Sequence, residues 1–190
     1  MKLQDGDLFH VYNRGNNSQK IFFERANYLY FLRKVGSELI PFADILCYCL
    51  MPNHFHFLLR PKNGVDEEYH PLSFAIGNLI SSYSQAMNRR YHRSGSFFQQ
   101  GTKAKLLTKD GYYAYTCFQY IHWNPVAARI VQELHQWPYS SYCDYAGLRN
   151  GKLPSKEWAF RLLDVTSDPA QFIEDSEGFR DWSFDLSRIY

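Results

Sequence analysis

With 190 residues the chain has the size of one domain and is long enough to bury a proper core. No apolar run approaches the roughly 18 residues that span a bilayer, and the N-terminal Met-Lys-Leu-Gln-Asp lacks a signal-peptide apolar region, so an intracellular, cytoplasmic protein is expected. The net charge of +2 hides an asymmetry: residues 1–130 carry fifteen Lys/Arg against nine Asp/Glu, and residues 131–190 six against ten, so a polyanionic partner suits only the first part.

Leu8-Phe9-His10-Val11-Tyr12 is β-branched and aromatic enough for a first strand, ended by the turn cluster Asn13–Ser18. From Asn27, a candidate N-cap, Tyr28, Phe31, Leu32, Val35 and Leu39 follow helical spacing as far as Ile40-Pro41. The apolar run Ile45–Met51 and the segment from His54 then read as a hairpin around the turn signal Pro52-Asn53. After a solvated linker at 65–70, Leu72 to Met87 mark a long amphipathic helix that ends in Arg89-Arg90-Tyr91-His92-Arg93. That basic run suits either a helix C-terminus or phosphate contacts.

Residues 97–107 read as an edge strand, or two short ones about Gly101, with Lys103 and Lys105 on one face. From Asp110, a second candidate N-cap, a helix is expected to about Trp123, stopped by Asn124-Pro125. Another short helix is expected from Val126 to Leu134. Trp137–Tyr145 is aromatic and turn-rich, expected on the domain surface, and short helical stretches follow near 155–164, 168–176 and 177–186. The order of elements gives an α+β sandwich with a mostly antiparallel sheet and helices on one face. Cys47, Cys49, Cys117 and Cys143 form no framework of the secreted type and read as reduced and structural.

The chemistry centres on Pro52-Asn53-His54-Phe55-His56-Phe57-Leu58. Alternation along a strand puts His54, His56 and Leu58 on one face and Phe55, Phe57 and Leu59 on the other. The two imidazoles then start about 7 Å apart at the backbone, close enough to share one ion. In the helix beginning near Asp110, Tyr120 and Asn124 lie one turn apart, so a phenol and an amide oxygen can reach the same place. Asn124 is a neutral oxygen ligand or an ordinary stop signal before proline; Tyr120 is a nucleophile or a core tyrosine. Imidazole donors on their own point towards Mn²⁺ or Zn²⁺.

Met51-Pro52-Asn53-His54-Phe55-His56-Phe57-Leu58-Leu59 with Tyr120-Ile121-His122-Trp123-Asn124-Pro125-Val126 resembles the single-tyrosine transposases of the insertion-sequence-200 type, and most of all their relatives associated with repetitive extragenic palindromes (REP). Asn13-Arg14-Gly15-Asn16, Phe97-Phe98-Gln99 and Trp137–Tyr142 are similar to that branch too, so the resemblance runs from about residue 8 to 147. It implies a ferredoxin-like HUH nuclease domain over residues 1–147; residues 148–190 have no counterpart in the resemblance and are expected to form a C-terminal helical extension of unknown role. It implies that His54, His56 and Asn124 hold Mg²⁺ or Mn²⁺ and that Tyr120 attacks single-stranded DNA beside an imperfect hairpin, leaving a 5′-phosphotyrosine and a free 3′-hydroxyl. The chain would act as a monomer or a homodimer. Arg14, Arg89, Arg90, Arg93, Lys103, Lys105 and Arg129 are the expected DNA-binding residues, being cations on the segments that carry the motifs.

Two other readings compete. If Pro52-Asn53 is a two-residue turn, Cys49 faces His56 across the ladder, which makes a structural zinc site conceivable. A DNA or RNA hairpin binder that keeps the fold without the chemistry is compatible with the same four residues.

Overall fold

The computed structural model describes residues 7–62, 71–107 and 111–179. Its strands are β1 (Leu8–Arg14), β2 (Ala43–Met51), β3 (His54–Pro61) and β4 (Lys103–Leu107). Its α-helices are α1 (Arg25–Glu38), α2 (Pro71–Arg90), α3 (Gly111–Ala127), α4 (Tyr142–Tyr145), α5 (Lys156–Leu162) and α6 (Pro169–Gly178). The strands form one sheet in the order β2-β3-β1-β4, antiparallel at every neighbouring pair. With α1 and α2 as crossovers, this is the βαββαβ arrangement of a ferredoxin-like fold, so the α+β class expected from the sequence is the one found. The linker at 65–70, Asp110 as N-cap and most of the stretch at 177–186 lie outside the described residues.

Alternation along β3 separates two faces. Phe55 and Phe57 pack against Phe31 of α1, ring centroids 5.4 and 6.4 Å away. Tyr83 of α2 closes on Phe31 at 4.9 Å and donates its hydroxyl to the Ile21 carbonyl. The helices do not share this one face, however: α3 lies across the other, burying Cys117, Phe118 and Ile121 completely. The physical reason lies in β2, which is apolar on both sides. Its Cys47 and Cys49 stand opposite Leu58 and His56, and that half of the face needs cover.

Several local readings shift. The N-cap of α1 is Glu24, not Asn27; Asn27 is the third helical residue, and its side-chain oxygen accepts from the Phe23 and Glu24 amides in a capping box. Asn124-Pro125 does not stop α3, which runs on to Ala127 with Pro125 inside it. A proline's own φ is helical, and in the last turn only the Ile121 carbonyl loses a donor. No helix follows from Val126 to Leu134. Arg129 turns the chain in the left-handed region (φ 56°), and a single 3-10 turn forms at Leu134–Gln136. Of the strand, or two short ones, expected over 97–107, β4 forms after Gly101, and before it Phe98 makes an isolated antiparallel bridge to Gly15, with Phe97 and Phe98 buried.

The aromatic segment 137–145 is part of the core and does not lie on the surface. Trp137 donates its indole N–H to the Leu50 carbonyl at 3.0 Å, the Leu50 amide donates to Tyr139, and the Ser141 hydroxyl accepts from the Tyr48 amide. Farther along, Ser155 N–H donates to the Ile45 carbonyl at 2.7 Å. These contacts occupy the outer edge of β2, which would otherwise present unpaired backbone groups. A register shift between Ile45 and Cys47 marks a bulge there, and the Leu46 carbonyl accepts the Tyr145 hydroxyl. Gly147 turns the chain in the left-handed region (φ 71°). Beyond it, Phe172 of α6 is fully buried, 5.4–6.3 Å from the rings of Phe118, Tyr142 and Tyr145. No helix among the described residues is long and apolar enough to cross a membrane.

His122 sits in the same aromatic cluster, its Nε2 2.8 Å from the Ser141 hydroxyl, and burial lowers its pKa from 6.5 to about 3. Well above pH 6.5 neither folded nor unfolded chain carries this charge. Below it the unfolded chain takes the proton first, so stability falls progressively down to about pH 3. One pH unit below 6.5, the loss from this group is about 1.4 kcal/mol. Urea midpoints against pH for the wild type and His122→Asn should show a shallower acid decline in the variant; equal slopes would contradict the assignment. Phe172→Ala should cost about 3–5 kcal/mol in one cooperative transition, whereas a separate early transition would mean that α6 is not part of the common core.

Candidate active site

The site is built on the turn that starts β3. The Pro52 carbonyl accepts from the Ile21 and Phe22 amides at 2.8 and 3.1 Å, and the Asn53 carbonyl accepts from Gly15 N–H at 2.7 Å. At Gly15 a Cβ would lie 2.1 Å from the Gln19 carbonyl oxygen, so only glycine lets these segments meet. The turn is thereby clamped from the far end of β1, and β3 is held between β1 and β2 with His54 opposite Arg14 and Met51, and His56 opposite Tyr12 and Cys49.

His54 Nδ1 is 2.7 Å from Asn53 Oδ1. Asn53 spends its NH₂ on the Ser18 carbonyl, so its oxygen faces the imidazole and Nδ1 carries the proton. On the other side, His54 Nε2 is 3.4 Å from Asn124 Oδ1. Asn124 donates its NH₂ to the Tyr120 carbonyl at 3.1 Å, so here too the amide oxygen faces the ring. Burial lowers the His54 pKa to about 4; the Asn124 oxygen opposes the shift and the Arg14 charge adds to it. At neutral pH His54 Nε2 is therefore an unprotonated lone pair facing a second lone pair. A cation between them would satisfy both.

His56 is fully buried, and its Nδ1 is 2.8 Å from His10 Nε2. Burial, then the neighbouring His10, His54 and Arg14, keep it well below its ordinary pKa. Its ring centroid is 5.0 Å from that of His54, and the Tyr120 ring stands edge-on to His56 at 5.7 Å. The structure thus brings together His54, His56, Tyr120 and Asn124. Among the described residues no group of three or more His, Cys, Asp or Glu is placed to hold an ion, so a site here requires the Asn124 amide oxygen as its third donor. Two imidazoles and an amide oxygen make a mixed set: the imidazoles suit a borderline ion such as Zn²⁺, and the oxygen admits a harder one such as Mn²⁺. Cys49 does stand opposite His56, as a two-residue turn demands. It supplies no zinc cluster: among the described residues no group of three or more His, Cys, Asp or Glu is placed to hold an ion, and its thiol lies 3.8 Å from the Met51 sulfur.

Beside the histidines lies a cleft of about 190 Å³, lined by Tyr12, Arg14, His54, His56, Gln99 and Lys103 among others. Of the seven cations expected to bind DNA, only Arg14 and Lys103 line it. Arg90 is paired with Glu24 at 2.7 Å, and Arg93 bonds the Gln19 side chain and covers the Phe97 ring at 4.9 Å. Arg89 is exposed at the end of α2, Lys105 stands opposite His10 on β4, and Arg129 is exposed in the turn after α3. The sequence reading missed His10, Tyr12 and Asn53. The signal was there for two of them: alternation along β1 puts His10, Tyr12 and Arg14 on one face.

No family model matches the chain. A Haemophilus influenzae protein provisionally named a REP-associated tyrosine transposase is 28% identical over 119 residues, 57% of this chain and 64% of that protein. The chain thus matches under two thirds of the length of this curated relative. Among solved structures, a REP-associated tyrosine transposase bound to a REP hairpin superposes with a TM-score of 0.60 at 15% identity, covering 82% of this chain and 94% of that one. In sequence the chain is similar to a REP-associated tyrosine transposase, and in fold to another.

Proposed function

We propose that the chain is a metal-dependent single-strand DNA endonuclease and strand transferase of the transposase type, acting beside a DNA hairpin with Tyr120 as nucleophile. The observation that carries this reading is the pair of facing lone pairs on His54 Nε2 and Asn124 Oδ1, 3.4 Å apart, with Tyr120 one helical turn before Asn124 and edge-on to His56. The similarity to transposases, one of them bound to a REP hairpin, supports DNA with an imperfect hairpin as the partner.

His54, His56 and Asn124 would hold Mn²⁺ or Mg²⁺. When bound, the ion withdraws charge from the phosphate to be cleaved. Arg14 and Lys103 draw the strand into the cleft through its phosphates. The Tyr120 phenol oxygen attacks the phosphorus and loses its proton as the bond from phosphorus to the 3′ oxygen breaks. The 3′ oxygen leaves as a hydroxyl, and the 5′ phosphate stays on Tyr120. The exchange of one phosphodiester for another conserves the bond energy, so attack by another 3′-hydroxyl can reverse it without a nucleotide cofactor.

The test is incubation of labelled single-stranded hairpin oligonucleotides from the gene's flanks with Mn²⁺ or Mg²⁺, read on a denaturing gel. A protein-linked band is expected, lost in Tyr120→Phe and with EDTA. A native-gel complex with no covalent band at any metal concentration would instead identify a hairpin binder without chemistry. Lys103→Gln should weaken binding and reduce the slope of log affinity against log salt by about 0.7. An unchanged slope would remove Lys103 from the DNA path.

A further inference from the structure

We infer that His10 is a positioning residue that fixes the tautomer of His56, presenting His56 Nε2 to the ion by accepting a hydrogen bond from His56 Nδ1–H. This rests on the metal-dependent reading above and adds to it a residue outside the ligand set.

The 2.8 Å contact between His10 Nε2 and His56 Nδ1 holds one proton between two buried rings. If His56 donates it, His56 Nε2 carries a lone pair and can bind a cation. If His10 donates it, the His56 proton sits on Nε2 and the residue is lost as a ligand. His54 shows which arrangement the site uses: its Nδ1–H is held by Asn53 Oδ1, leaving Nε2 bare towards Asn124. His10 stands to His56 as Asn53 stands to His54. Both candidate ligands then have Nδ1 engaged by an acceptor and Nε2 available, the outer-shell pattern that orients imidazoles around metals.

The His10 ring is held to this task. Its backbone lies in β1 between β3 and β4, paired with Leu58 and Lys105. Its ring stacks on Tyr12 at 4.8 Å and is nearly parallel to that of His56, with centroids 5.0 Å and planes 18° apart. The Tyr120 ring meets it edge-on at 6.4 Å. A residue serving only to fill this space needs no nitrogen aimed at His56.

The experiment compares wild type with His10→Phe, which keeps a ring in the stack, and His10→Gln, which restores an acceptor oxygen. Long-range ¹H–¹⁵N NMR of the metal-free protein reads the tautomer of His56 directly, and Mn²⁺ binding followed by electron paramagnetic resonance reads the site. Wild-type His56 should carry its proton on Nδ1, and in His10→Phe the proton should move to Nε2. Mn²⁺ affinity should fall about 10–100-fold in His10→Phe and recover to within a few-fold of wild type in His10→Gln, with melting curves confirming that each variant is folded. A wild-type His56 protonated on Nε2 overturns the inference, as does a folded His10→Phe that binds Mn²⁺ as tightly as wild type. Wild-type protein that binds no Mn²⁺ while His56 carries its proton on Nδ1 overturns the metal reading itself, and the function assigned to the tautomer with it.

Discussion

The register of β3 is the constraint on which the site depends. A slip of one residue would send His54 and His56 into the phenyl core and put Phe55 and Phe57 in the cleft. Three devices prevent it: the clamped Pro52-Asn53 turn, the double pairing of β3 with β1 and β2, and the close approach that Gly15 alone allows. The aromatic core of Phe31, Phe55, Phe57 and Tyr83 on the opposite face adds to the cost of any slip. Stability and chemistry therefore draw on the same alternation.

Given that register, the site works by dryness. Buried imidazoles stay neutral because charging them without water is costly, and neutrality is what leaves nitrogen lone pairs for a cation. Arg14 helps from the rim, since its charge disfavours protonation of His54 and His56 while remaining in the cleft where a phosphate would come. An exposed histidine pair would offer neither a fixed tautomer nor a fixed direction. Here Asn53, Asn124 and His10 supply both.

The far edge of the sheet solves a different problem. β2 is buried on both faces and would expose a row of backbone groups at its outer edge; the segment 137–141 and Ser155 cover it, and Tyr145 satisfies the carbonyl freed by the bulge at Leu46. Phe172 and Trp123 then join α6 to α3, Trp123 through the Ser176 carbonyl at 2.9 Å. The helix that carries Tyr120 and Asn124 is thus braced from behind by α6.

Much of this was legible without coordinates, and what was legible is local. Alternation put both histidines on one face of β3, helical spacing set Tyr120 and Asn124 one turn apart, and a two-residue turn set Cys49 opposite His56. The order of strands and helices specified the α+β class. Each rests on the geometry of a few neighbouring residues. Some local readings failed too, at the Asn27 cap, the Asn124-Pro125 stop and the helix expected after Val126; the larger errors were of the opposite kind: the surface expected at 137–145 and helices placed on one face. Only the tertiary structure laid α3 over the imidazole face, bringing Asn124 to His54 across 70 residues of chain, and aimed His10 at His56 across 46. Contacts at such separations depend on which apolar surfaces are left uncovered once the sheet has formed, and that is a property of the packed whole, carried by no single stretch of sequence.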